Sequence, residues 1–108
     1  MSIPHAEQRT LNTPHGPAIG VAYSWPGGQY CAIHTFRGVL GCGVYDIACA
    51  DEFGMAFAIC KGTPERPLWT PEDLYSANIV AVSKAAAELG IEVGMTGEAA
   101  LAYLIPQP

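Results

Sequence analysis

Three glycine- and proline-rich reversals punctuate the first forty residues: Pro14-His15-Gly16-Pro17, Pro26-Gly27-Gly28 and Thr35-Phe36-Arg37-Gly38. Short segments rich in β-branched and aromatic residues lie between them, with Ile19, Val21 and Tyr23 alternating. Proline and glycine cannot continue a ladder, and tight turns join antiparallel neighbours, so the pattern demands a strand meander. The expected strands are 8–13, 18–25, 29–35 and 39–42, preceded by a loose stretch at 1–7.

Helical signals follow. Gly41-Cys42-Gly43 opens an expected short helix over about 44–51, ended by Gly54, and 55–60 reads as a strand. Strand, helix and strand in succession predict a right-handed crossover. A proline-rich loop covers 61–68. Thr70 is placed to cap a helix, Pro71 suits its first turn, and Glu72 and Asp73 suit its positive end. That helix is expected to run to Leu89, with Gly90 ending it. Leu74, Ala77, Ala81, Ala85 and Leu89 form its apolar stripe, and Ser76, Ser83, Lys84 and Glu88 lie on its polar side. Residues 91–93 read as a last short strand, and Thr96 caps a final helix over 97–104. The sum is a single α/β (α+β) domain over 1–108: a mixed sheet of meander plus crossover, covered on one face by one long and one or two short helices.

Composition narrows the function classes. Half the residues are apolar and 14% are charged, against about 25% charged in an average globular chain. That excludes disorder as the main state. No run approaches the ~18 apolar residues of a membrane span, and Met1-Ser2-Ile3-Pro4-His5 lacks the pattern of a signal peptide. A net charge of −5 without a basic cluster argues against nucleic acid and anionic membranes as partners. A cytoplasmic homo-oligomer is expected, because the apolar surplus and the uncovered sheet face both ask for a second subunit.

Four cysteines stand at 31, 42, 49 and 60, at spacings of 11, 7 and 11. Structural zinc wants a tight Cys-x-x-Cys pair, so no metal and no cofactor is implied. Cys31, Cys49 and Cys60 read as small buried apolar residues. Cys42 is different. It sits between Gly41 and Gly43 where a strand is expected to give way to a helix. The glycines permit a close ligand approach, and helix N–H groups stabilise a thiolate or hold a small anionic ligand. Asp46, one turn on, is a further candidate, either as a carboxylate acting beside the thiol or as a cap. Lys61 would rim the same pocket with Arg66. His34 is the nearest base. A two-residue loop at Arg37-Gly38 pairs Ile33 with Cys42 and turns His34 away. A three-residue loop pairs Ala32 with Cys42 and puts His34 on its face, and is favoured because it asks only Gly38, not Arg37, for positive φ. His5 and His15 carry no assignment, and Trp25 and Trp69 are contact or core residues alike.

Gly41-Cys42-Gly43-Val44-Tyr45-Asp46 resembles the Cys-Gly-x-Leu-Asp segment of the small bacterial and archaeal YunC-like proteins, with Tyr45 in place of leucine. The run Ala87-Glu88-Leu89-Gly90-Ile91-Glu92-Val93-Gly94-Met95-Thr96-Gly97-Glu98-Ala99-Ala100-Leu101 is similar to that family's helix, connection and glycine-methionine turn. The likeness spans residues 8–104 and implies a compact YunC-like α/β domain. It implies no reaction, since the family's function is unknown. Relatives tend to carry arginines in the stretch equivalent to Gly54–Lys61, where this chain has Met55 and Cys60-Lys61. Three readings stay open: a small-molecule binder or thiol enzyme using Cys42, Asp46 and His34, with Gly41, Gly43 and Lys61 around the ligand; an assembly or regulatory module in which Cys42 and Asp46 are structural; and a metal site on Cys31, Cys42, Cys49 and His34.

Overall fold

The reversal at Pro14 and His15 closes the first hairpin, and the computed structural model describes residues 3–107. Strand β1 (His5–Thr13) pairs antiparallel with β2 (Gly16–Trp25). Residues 5–7 are thus strand rather than loose, extended by pairing with residues 22–24 of β2, while residues 1–2 and 108 lie outside the described residues. The Thr13 hydroxyl donates to Gly16 O and accepts the His15 N–H, and Gly16 takes a φ of 132° that few other residues tolerate. Strands β3 (Gly28–His34) and β4 (Val39–Gly41) continue the meander.

The chain then leaves the sheet through helix α1 (Ile47–Glu52) and returns as β5 (Phe57–Cys60), parallel to β4. Strand β6 (Ile79–Val82) pairs antiparallel with β5 and completes a six-stranded mixed sheet in the order β1-β2-β3-β4-β5-β6. Helices α2 (Lys84–Leu89) and α3 (Gly97–Leu104) follow.

The long helix expected over 70–89 does not form. Thr70-Pro71 starts only a 3-10 helix, Pro71–Leu74, whose Asp73 carboxylate accepts the Trp69 and Thr70 N–H groups. The run Ile79-Val80-Ala81-Val82 then goes to the sheet, where branched side chains pack and β5 supplies a ladder. Ser83 caps α2 by accepting the Ala86 N–H, and Gly90 ends it at a φ of 108°. Ser83 is fully buried instead of lying on a polar helix side. Residues 91–93 form no strand. Ile91 packs in the core, and only an isolated bridge, Asn78 to Thr96, extends the sheet there. The expected cap at Thr96 holds, accepting from the Ala99 N–H.

Strand alternation sorts the residues onto two faces. Leu11, Ala18, Cys31, Ile33, Leu40, Ala58 and Cys60 share the inner face and pack with Leu74, Leu101 and Leu104 from the helical segments. Gly97 is needed because a Cβ there would collide with Leu74 O. The outer face carries Tyr23, Tyr30 and Phe57, joined by Tyr45 from the loop after β4. No helix among the described residues is long and apolar enough to cross a membrane.

Candidate functional site

The hairpin between β3 and β4 positions the site, and its loop matches neither expected length. Four residues, Thr35 to Gly38, connect His34 to its partner Val39. The Thr35 side chain donates to Gly38 O at 2.6 Å and accepts the Gly38 N–H at 3.1 Å, while the Thr35 N–H also donates to Gly38 O. Gly38 serves by closeness instead of positive φ, since a Cβ there would strike Ala56 O. This register opposes Cys42 to Cys31. His34 is therefore on the other face of the sheet from Cys42, exposed to solvent, and cannot act as its base through the shared-face geometry.

At Cys42 the ladder ends halfway. Its N–H donates to Cys31 O at 3.1 Å, but its carbonyl accepts the Tyr45 N–H instead of the Cys31 N–H. The Cys31 N–H turns to the Cys42 sulfur, 3.5 Å away. Helix α1 does not begin here. It starts at Ile47, capped by Asp46, whose carboxylate accepts the Ala48 N–H at 3.1 Å. The thiol consequently sits in a turn, among backbone N–H groups, without a helix dipole behind it.

These donors set the acidity. The Cys42 thiol is pushed down to about 6, foremost by the hydrogen bond from the Cys31 thiol; burial opposes this, and the N–H groups of Val44, Cys31 and Cys42 itself add to it. Cys31 moves strongly the other way, through its coupling to the neighbouring Cys42 thiol and its burial, while its own thiol donates to Leu68 O at 3.8 Å. Cys60, buried and within the field of Cys42, is pushed up to about 12. Tyr45 is raised as well, by burial first and by Cys42 second.

Cys42 is 6% exposed and lines a depression of about 290 Å³. Gly43, Val44, Gln29, Lys61, Thr63 and Leu68 line it together with Cys42. A larger cleft of about 480 Å³ adjoins it across the shared residues Lys61 to Thr63 and continues past Arg66, Asp73 and Asn78. The loop 61–68 that separates the two folds on itself through paired bonds between Thr63 and Arg66.

The structure therefore gathers Cys42, Gly43 and Lys61, and separates them from His34 and Asp46. Gly41 does not line the depression: the Tyr45 ring lies where its Cβ would be. Cys49 is exposed on α1 and not buried as expected, and no metal-binding cluster of His, Cys, Asp or Glu exists among the described residues. The sequence names Cys31 only as packing or as a metal ligand and not as the cross-strand partner of Cys42, and it does not single out Gln29. Their signal was the loop length, since a four-residue loop alone opposes Cys31 to Cys42.

Three comparisons bear on kinship. A search of curated proteins found no match. The crystal structure of a protein of unknown function from Thermoplasma acidophilum is similar over 96% of this chain and 97% of that one, at a TM-score of 0.85 and 16% identity. At that identity the likeness establishes a shared fold only. The family model described as a domain of unknown function, DUF1805, matches residues 41–104, from the glycine before Cys42 to the end of α3, and the chain belongs to that family.

Proposed function

We propose that the depression at Cys42 binds a small molecule and that the Cys42 sulfur is its reactive group. The observation that carries this reading is the hydrogen bonding of the sulfur, which accepts the Cys31 N–H in a residue that lines a depression. A thiolate held by N–H donors is a nucleophile at neutral pH. Lys61, which lines the same depression, supplies a cation for an anionic substrate or a leaving group. The chemistry this fits is attack on an electrophile of small size, with no side-chain base required because the thiol is already deprotonated. Neither His34 nor Asp46 has a part in it.

Alkylation resolved by site between pH 5 and 9 tests the reading. Cys42 should react with iodoacetamide as pH rises through about 6, ahead of the exposed Cys49. Inertness of Cys42 until the protein unfolds would make it a packing residue.

A second reading rests on a separate observation. Tyr23, Tyr30, Tyr45 and Phe57 form a continuous half-buried aromatic row on the outer face, with Trp25, 45% exposed, at its end. We propose that a second copy of the chain covers this face in a homo-oligomer.

A further inference from the structure

We infer that Cys31 and Cys42 act as a dithiol that reduces a small hydroperoxide, with Cys42 attacking and Cys31 resolving. The inference rests on the reading of Cys42 as the reactive thiol and adds to it a partner and a substrate class.

The register carries the pairing. Cys31 and Cys42 are direct cross-strand neighbours on the inner face, tied by the Cys42 N–H to Cys31 O and by the Cys31 N–H to the Cys42 sulfur. Directly opposed residues in a hydrogen-bonded antiparallel pair have Cα atoms about 5.5 Å apart, inside the span of about 4.4–6.8 Å that a disulfide bridges. The rung is already half open, because the Cys42 carbonyl is engaged by Tyr45. The strand end can therefore adjust to a sulfur–sulfur bond without breaking a complete ladder. The Cys31 thiol lies against Leu68 O and the Cys60 thiol against Leu74 O and Ala77 O, but only Cys31 also places its N–H on the Cys42 sulfur, which favours it over Cys60 as the partner.

Access selects the oxidant. Cys31 is fully buried, and Cys42, nearly so, lines a depression of about 290 Å³. A small hydroperoxide enters such a space, and the disulfide of a folded protein does not. In the first step the Cys42 thiolate attacks the terminal oxygen of ROOH. The S–O bond forms, the O–O bond breaks, and its electron pair leaves on RO⁻, which takes a proton from the Lys61 side or from water to give ROH. In the second step the Cys31 sulfur attacks the Cys42 sulfenic acid, its proton leaving with the hydroxyl as water. Two thiols and ROOH become one disulfide, ROH and water, so sulfur loses two electrons and the peroxide gains them. A small dithiol restores the pair by exchange. The order of events is built in: Cys31 keeps its proton while its neighbour is an anion, and that hold ends once Cys42 has become a neutral sulfenic acid.

The test uses the full chain carrying Cys49→Ser, so that the exposed thiol is silent. One equivalent of hydrogen peroxide is added at neutral pH, and the products are mapped by mass spectrometry. The expected result is loss of two thiols per chain and a Cys31–Cys42 peptide link that a dithiol reverses. With Cys31→Ser added, the reaction should stop at a Cys42 sulfenic acid trapped by a 1,3-dione; with Cys60→Ser instead, the link should form as before. If Cys42 is alkylated near pH 6 yet peroxide yields no Cys31–Cys42 link in the chain with both thiols present, the dithiol is overturned and the small-molecule reading stands. If Cys42 resists alkylation and peroxide alike, both fall.

Discussion

Ser83 shows how much one hydroxyl can organise. Its oxygen donates to Met55 O at 2.7 Å, accepts the Phe57 N–H at 2.9 Å and accepts the Ala86 N–H at 3.3 Å. Its own N–H donates to Phe57 O. One buried residue thus ends β6, caps α2 and ties both to the entry of β5, the strand whose C-terminal end leads to Lys61 at the candidate site. Ser83→Ala strips partners from Met55 O and the Phe57 N–H and removes a helix cap. Each buried orphan costs about 1–3 kcal/mol and a lost cap about 1 kcal/mol. We expect Ser83→Ala to lower unfolding free energy by about 3 kcal/mol, read as a reduced urea midpoint at unchanged slope. A loss under about 0.5 kcal/mol would mean that water replaces the hydroxyl.

Elements differ in how far their neighbours in sequence determine them. Helix α1 has only six residues, and its clearest local support is the Asp46 cap. Asp46→Ala should cost about 1 kcal/mol, a fall in Tm of roughly 4–8 °C in a domain near this size, and Asp46→Asn should restore most of it because asparagine caps as well. Cys42 alkylation at pH 7 should change less than about twofold in both variants, since the groups that lower its thiol are Cys31 and the N–H groups of Val44, Cys31 and Cys42, with no part for Asp46. A tenfold change in Asp46→Asn would make the carboxylate part of the site. The same division explains what could be read from sequence. The meander, the α3 cap at Thr96 and the stop at Gly90 are written in adjacent residues, and the structure keeps them. Strand β6 was hidden because Ile79 to Val82 sits in an alanine-rich stretch that also satisfies a helical period; only β5, a distant segment, decides the competition. The site was half legible for the same reason. Cys42 and Lys61 stood out by their surroundings in sequence. Cys31 and the exclusion of His34 depended on a register set by one threonine side chain.

At the scale of the whole molecule, the strands lie in chain order with a single parallel junction, between β4 and β5. Helical segments fill the inner face, and the half-buried aromatic row lies on the outer one. No charged side chain belongs to its aromatic row, and two copies could meet there without burying an ion. Twofold pairing is the commonest closed solution for such a self-complementary patch. Sedimentation of the 11.4 kDa chain should therefore give twice the monomer mass. Trp25→Glu should weaken association at least about tenfold, since a buried interfacial tryptophan commonly carries 2 kcal/mol or more. The side chain is already 45% exposed in the single chain, so the monomer should keep its fold and its Cys42 reactivity. A chain that stays monomeric at every concentration would leave the aromatic row as local packing around Gly41 and Tyr45. A dimer untouched by Trp25→Glu would move the interface to the sheet edge at β1, which has a strand on one side only among the described residues.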